Sequence, residues 1–410
     1  MNNFYFRETC RMCGHNPLTK VISLCPTPPG NDFLTEDELG GEEQTYPLDL
    51  YFCDYCHHVQ LGHVVDSKIL YQKNYSYVSA TSQNFVDHLQ DYSIKMINRF
   101  GLESGSLVTD IGSNDGTCLS FFKEKGLNVI GVDPAKSIAN KATKIGIETV
   151  ADFFSYDLAV QLRKKYGKAK FITSHNACAH IDDLLDVVKG VEYWLAEDGV
   201  FVLEVGYLVD VYTNIWFDTI YHEHLDYHTV APFEKLFSRV GMEIISVERI
   251  SPQGGSIRVM VQKQGGSIKR DDSVDKLIKL ENELGLDKAE TFSKFDNKIS
   301  EAKVRLQKII EEIKTDGKTI AGFGAPTKAT TLMAHFGLDA KVLDFIVDDN
   351  PLKQGLYSPI THIPIFSAKA LYEKKPDYVL ILAWNFADPI MKMHARYEDE
   401  IGSFILPITQ

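Results

Sequence analysis

The sequence predicts an α/β protein: a small cysteine-rich domain followed by two Rossmann-like units. Three observations predict it. Two Cys-x-x-Cys knuckles, Cys10-Arg-Met-Cys13 and Cys53-Asp-Tyr-Cys56, stand near the start. Leu107–Asp133 reads as strand, glycine loop, helix and strand, with an acid at the tip of the second strand. Lys318–Asp348 repeats that order with a different loop. A chain of 410 residues has room for two or three domains, and the expected segments are 1–74, 75–265 and 266–410.

The bulk composition narrows the function. A net charge of −13 argues against a nucleic-acid or anionic-membrane surface. No apolar run approaches the length of a membrane span. Met1–Arg11 is polar and lacks the apolar core of a signal peptide, so a cytoplasmic location is expected. The seven cysteines are then thiols or metal ligands rather than a disulfide framework.

In residues 1–74 each knuckle offers two thiolates from one tight turn, which suits tetrahedral zinc. Cys10, Cys13, Cys53 and Cys56 are the predicted ligands of a zinc-binding domain. Four sulfurs leave no open position for water, so the ion is read as structural. His57, His58 and His63 lie close by as substitutes. Between the knuckles, Cys25–Phe33 is a proline-rich loop, and Tyr46–Phe52 alternates like a strand. The linker Tyr71–Ser82, with Tyr75 and Tyr77 among hydroxyl residues, is either a substrate-contacting strip or a solvated connection. An amphipathic helix is expected over Phe85–Phe100.

The central unit turns on Asp110-Ile-Gly112-Ser-Asn114-Asp-Gly116. Gly112 and Gly116 permit sharp turns and close approach of a ligand, and Asn114 tolerates a left-handed backbone. The loop departs from G-x-G-x-x-G, and Asp110 and Asp115 would repel a pyrophosphate. A nucleoside with a cationic tail fits better. S-adenosylmethionine (SAM) is such a ligand, with Asp133 accepting its ribose hydroxyls about 20 residues on. After a third strand, Asp152 is placed to read the adenine amino group, and the Phe153-Phe154 pair to cover the ring. A fourth strand, from Phe171, runs into His175-Asn176 and on to His180 at the carboxyl edge of the sheet, where open α/β folds bind ligands.

Tyr221-His222-Glu223-His224-Leu-Asp226-Tyr227-His228 is the densest titratable cluster in the chain. Metal binding, a fold-supporting hydrogen-bond network and general acid/base chemistry are the readings. The last is preferred, because histidine titrates near neutrality. Neighbours in a regular strand face opposite ways, so Glu223 and His224 share a site only if this stretch is irregular. Gly241–Val247 and Gly254–Val261 predict a closing β-hairpin. Residues 263–316 are charged and helical. In the second unit, Gly322-Phe-Gly324-Ala-Pro-Thr327-Lys328 carries a lysine and hydroxyls where the first loop carries acids, which suits phosphate at a helix N-terminus.

In this order the pieces resemble the nucleotide-sugar C-methyltransferase family. The resemblance spans nearly the whole chain and rests on the paired knuckles, DIGSNDGT, HNACAHIDD, TIYHEHLDY, GFGAPTKA, VDDNPLKQG and LAWNFAD. It implies a zinc-binding domain, a central SAM methyltransferase domain, and a C-terminal Rossmann-like domain that helps hold the sugar nucleotide. It implies methylation of a ring carbon, C3 ahead of C5, in a dTDP-linked 4-keto-deoxy sugar, with GDP and CDP as alternatives. By position His224 matches the catalytic base, with Glu223 beside it, Tyr221 and His180 in the site, and Tyr75 as the linker tyrosine. The chain departs at Val78-Ser79, where members commonly have His-Ser, and at Leu356, where an arginine is common. No nucleic-acid or membrane partner is implied, and a monomer or small homo-oligomer is expected. The rivals are an O- or N-methyltransferase of a small metabolite, a zinc-ribbon adaptor that modifies a macromolecule, and a nicotinamide oxidoreductase.

Overall fold

The computed structural model describes residues 3–72, 80 and 82–408, so Tyr75 and most of the linker lie outside the described residues. Strands β1 (Phe4–Phe6), β2 (Thr19–Thr27), β3 (Tyr46–Phe52), β4 (Val59–Leu61) and β5 (His63–Val65) build the first module. β1 pairs with β5, and β2, β3 and β4 form an antiparallel sheet. β3 alternates as expected, burying Tyr46, Leu48, Leu50 and Phe52.

Helix α1 (Ser67–Gln72) ends this module, and α2 (Gln83–Phe100) opens the next. The apolar stripe of α2 buries Leu89, Tyr92 and Met96, and Gly101 stops it in a left-handed conformation with φ 56°. There follow β6 (Leu107–Ile111), α3 (Thr117–Glu124), β7 (Asn128–Val132), α4 (Lys136–Lys144), β8 (Thr149–Val150), α5 (Tyr156–Tyr166), β9 (Ala169–His175), α6 (Leu184–Trp194) and β10 (Leu195–Gly206). β10, β9, β6, β7 and β8 are parallel, which requires the helical crossovers between them. After α7 (Leu208–Asn214), β11 (Asp226–Tyr227) and α8 (Val230–Ser238), the expected hairpin closes the sheet as β12 (Met242–Ile250) and β13 (Ser256–Lys263). The seven-stranded order is β12-β13-β10-β9-β6-β7-β8. Strand order reverses between β6 and β9, which opens a crevice at their carboxyl ends.

β11 does not belong to that sheet. It pairs with β4 and extends the sheet of the zinc-binding module to β11-β4-β3-β2. Helices α9 (Ser273–Glu283) and α10 (Ala289–Thr315) pack on β12 and β2. Buried Glu281 of α9 accepts hydrogen bonds from Tyr207 Oη (2.9 Å) and the Val230 amide (2.8 Å). The second Rossmann unit then runs through β14 (Ile320–Phe323), α11 (Thr327–Phe336), β15 (Ile346–Val347), β16 (Ile365–Phe366), β17 (Tyr378–Ile381) and β18 (Ser403–Ile405). It is parallel throughout, in the order β16-β15-β14-β17-β18. One buried apolar cluster runs through all three parts, from Cys10 to Ile408. Among the described residues no helix is long and apolar enough to cross a membrane.

Candidate active site

The two knuckles are built alike. Cys10 N donates to His15 O and Gly14 N to Cys10 O; Cys53 N donates to His58 O and His57 N to Cys53 O. Each turn places a left-handed residue, Gly14 or His57, directly after its second cysteine. The Sγ atoms of Cys10, Cys13, Cys53 and Cys56 lie within 4.8 Å of one another, with Cys10–Cys56 at 3.5 Å and Cys13–Cys53 at 3.6 Å. Four zinc–sulfur bonds of about 2.3 Å around a tetrahedron call for sulfurs close to this spacing. The four thiols therefore fit zinc. His58 is occupied elsewhere, with Nε2 2.6 Å from Asp226 Oδ1.

At the carboxyl end of β6 the loop takes left-handed turns at Gly112 (φ 77°), Asn114 (φ 50°) and Gly116 (φ 80°). Asp133, at the tip of β7, reaches back to this loop. Its carboxylate accepts the amides of Asn114 (2.9 Å) and Ala135 (2.8 Å). Burial raises the Asp133 carboxyl above its ordinary range, against those two hydrogen bonds. Asp110, Gly112, Asn114, Asp133, Phe153, His175 and Asn176 line one side of a cavity of about 850 Å³. Gly116 and Asp152 do not line it. Gly116 starts α3 against Ile147, and the Asp152 carboxylate accepts the Phe153 amide. Behind the loop, His175 Nδ1 stands 3.8 Å from Asp110 Oδ1 in a buried pair. Beneath them Glu204 is held by His88 (2.7 Å) and Arg258 (2.7 Å).

The second side of the cavity comes from residues 219–227, which turn irregularly except for β11. That irregularity meets the condition for Glu223 and His224 to share a site. His222 faces away, its Nε2 on Tyr46 O at 3.2 Å, in a fold-supporting role. His224 Nδ1 lies 2.9 Å from Thr219 O, so Nδ1 carries the proton. Nε2 is left as the acceptor, 2.8 Å from Tyr221 Oη. Burial pulls the His224 imidazole down to about 4, with the Thr219 carbonyl opposing. It pushes the Glu223 carboxyl up to about 7, with a hydrogen bond from Asn31 opposing. The His180 ring stands edge-on to His224 at 5.0 Å and is held down to about 3 by burial and by His224 and His228. Among the described residues, the metal-like groupings are the four cysteines and Asp110–Cys118–His175; the 221–228 stretch forms none.

The third side comes from the other two modules. Asn31, in the proline-rich loop, donates to Glu223 Oε1 (3.2 Å) and accepts from Thr327 Oγ1 (2.8 Å). Lys328, at the start of α11, lies 3.4 Å from buried Asp218 and 5.3 Å from the Trp384 ring centre. Lys353 donates to Ala325 O at 2.6 Å and sits over the Phe33 ring. Both lysines line the cavity with Pro326, Thr327, Asn385 and Phe386. Sequence reasoning placed phosphate near Lys328 but passed over Asn31 and Lys353. The Asn-Asp pair after Pro28-Pro29-Gly30 was the available sign of a polar loop tip, and a lone lysine in a turn gave none.

Comparison with known proteins follows the same three parts. Family models match as "Putative zinc binding domain" over residues 10–71, "Methyltransferase domain" over 85–247 and "C-methyltransferase C-terminal domain" over 251–409. C-methyltransferase NovU of Streptomyces niveus is 33% identical over 403 residues, covering 98% of this chain and 96% of that protein. Magnesium protoporphyrin IX methyltransferase of Synechocystis PCC 6803 aligns at 17% identity over 47% of this chain and 90% of that one, with a TM-score of 0.36. A SAM-dependent methyltransferase of Clostridium acetobutylicum aligns at 14% identity over 44% of this chain and 92% of that one, with a TM-score of 0.35.

Proposed function

We propose, from the premise that the chain belongs to the C-methyltransferase family and is a SAM-dependent enzyme, that its acceptor is a ring carbon beside the ketone of a nucleotide-linked 4-keto-deoxy sugar. C3 is preferred to C5, and dTDP to GDP or CDP, on the sequence resemblance. The observation that carries this reading is the meeting of three unlike faces in one cavity: the acidic loop at Asp133, the Tyr221–Glu223–His224 turn, and Lys328 with Lys353. At about 850 Å³ the cavity is near the upper end of the ~300–1,000 Å³ that ligand pockets span, which favours a large ligand or two together.

Each face has a chemical task under this proposal. Asp133 accepts the ribose hydroxyls of SAM, which supplies an electrophilic methyl group. Lys328 and Lys353 face the diphosphate. Tyr221 leaves His224 Nε2 when the sugar enters, and Nε2 takes the proton from the carbon beside the ketone. The C–H electron pair becomes the enolate, a new carbon–carbon bond forms to the methyl group, and the sulfur keeps the electrons of the bond that breaks. Tyr221 Oη, freed from His224, donates to the developing enolate oxygen. Glu223 faces the sugar hydroxyls. Tyr75 is proposed as a substrate contact on the sequence resemblance alone.

The test is mass spectrometry of purified protein incubated with SAM and dTDP-, GDP- and CDP-linked 4-keto-deoxy sugars. A methyl gain is expected with one of them, and its carbon-13 NMR signal should fall among carbon-bound methyls. His224→Asn is expected to lower turnover by about 10²–10⁴-fold. A methyl carbon signal in the methoxy region would move the acceptor to oxygen. The pH profile of kcat separates the two candidate bases. With His224 as base, held down to about 4, the rate persists well below pH 7. With Glu223 as base, held near 7, it would fall about tenfold for each pH unit below that value.

A further inference from the structure

Arg11 lies inside the first zinc knuckle, between Cys10 and Met12, and its side chain is fully buried. The knuckle does not use it, because the knuckle's own hydrogen bonds run through the Cys10 and Gly14 amides. The guanidinium's contacts lie outside the knuckle, on β4 and on the methyltransferase domain, and its Nη2 has no hydrogen-bond partner among the described residues. Nε donates to Asp182 Oδ1 at 2.9 Å. Nη1 donates to Leu61 O at 2.8 Å and Leu225 O at 3.3 Å, and lies 3.8 Å from Asp226 Oδ1. A buried guanidinium is costly unless carboxylates and carbonyls surround it. Here the carboxylates come from two separate loops of the methyltransferase domain. Asp182 ends the loop that carries His180, and Asp226 begins the strand that follows His224.

The contacts around Arg11 make the same connection. His58, just after the second knuckle, binds Asp226 Oδ1 at 2.6 Å. β11 pairs with β4 of the zinc-binding module, and Leu61 N donates to Leu225 O at 2.8 Å. Leu225 N donates to Ala179 O at 2.8 Å, which joins the two loops to each other. Arg7 and Tyr5 also bind Asp182. The first knuckle thus carries an arginine whose contacts reach both the loop of His180 and the strand that follows His224.

We propose that Arg11 is a positioning residue for methyl transfer, and that the zinc-binding module acts as a jig for the two loops that carry His180 and His224. The inference rests on the assignment of those loops to the catalytic side of the cavity. Arg11→Met keeps the stem and removes the fork; Arg11→Lys keeps the charge; Asp182→Asn takes the carboxylate charge out of the same tie at a distance from the cysteines. Active sites are counted by titration with S-adenosylhomocysteine and zinc by atomic spectroscopy. The expected result is a kcat per active site lowered at least tenfold in Arg11→Met and Asp182→Asn. Acceptor KM should stay within about threefold, with partial recovery in Arg11→Lys and no further loss in the double variant. A kcat per site within twofold of wild type in Asp182→Asn would overturn the proposal, whatever happens to zinc or folding in the arginine variants. Imidazole nitrogen NMR gives a reading that needs no acceptor. The His224 Nδ1–H signal is expected to shift in Asp182→Asn, and an unmoved signal counts against the proposal. If no keto sugar is turned over by wild type, the acceptor assignment fails while the NMR arm still decides the role of Arg11.

Discussion

The two Rossmann units are built with the same clasp around loops of opposite charge. In the first, Asp133 at the tip of β7 accepts the amides of Asn114 and Ala135. In the second, Asp348 at the tip of β15 accepts the amides of Ala325 (2.6 Å) and Asn350 (2.8 Å). Each loop has a glycine against an alanine on the neighbouring loop: Gly112 (φ 77°) faces Ala177, and Gly324 (φ 87°) faces Ala383. What differs is the side chain aimed at the cavity. Of the two clasp acids, Asp133 lines the cavity and Asp348 does not, and the second loop presents Lys328 there instead. Backbone geometry sets where a ligand comes close, and the charge at the loop decides which kind of ligand it is.

The largest test breaks the shared geometry. A Cβ on Gly112 would stand 2.5 Å from Ala177 Cβ, and one on Gly324 would stand 2.6 Å from Ala383 Cβ. Both sites also hold a left-handed backbone. Gly112→Ala and Gly324→Ala are each expected to cost about 2–4 kcal/mol of stability, from backbone strain plus overpacking. Adding Ala177→Gly or Ala383→Gly removes only the overpacking, so about half the loss should return in denaturant unfolding. Equal losses without rescue would mean that backbone strain dominates. Only the Gly112 variant is expected to weaken SAM binding.

Removing the acids separates the loops by ligand. Asp133→Ala is expected to raise the SAM dissociation constant about 100-fold, or about 2.7 kcal/mol, in isothermal titration. Asp348→Ala cuts an equivalent clasp and should leave that constant within about twofold. Comparable losses in both would mean that the carboxylates serve loop shape alone.

The local parts of this design were legible in the sequence. Knuckles, glycine loops, the strand-tip acids and the 3.6-residue stripe of α2 are each written within a short window, so residue type and spacing suffice. Asp152 and Gly116 sit in the expected loops but lie off the cavity lining, because sequence spacing fixes a loop and not the direction of its side chains. The ties that assemble the site join distant segments. Asn31 meets Glu223 across 192 positions, and Arg11 meets Asp182 across 171. The pairing of β11 with β4 was hidden in the same way, since a two-residue strand has no periodicity to detect. Glu223 and His224 are readable as a pair only on condition of an irregular turn, and that turn runs directly into β11, which pairs with β4 of the zinc-binding module.

The smallest expected effect sharpens the charge side of the comparison. Lys353 is half-buried beside Ala325 and Phe33, and desolvation lowers its ammonium below the ordinary range, with Asp348 opposing. It gains most from an anionic ligand because little water screens it there. Lys328 already faces Asp218, so part of its charge is answered before a ligand arrives. Lys353→Met is therefore expected to raise the acceptor KM about tenfold, or about 1.4 kcal/mol, and Lys328→Met somewhat less. kcat should change little in either, since neither ammonium is proposed to touch the reacting carbon. The wild-type KM should climb as salt is raised from 0.05 to about 0.5 M, and the double variant should lose most of that dependence. SAM affinity should not follow it. A KM that ignores both lysines and salt would assign the second loop to architecture.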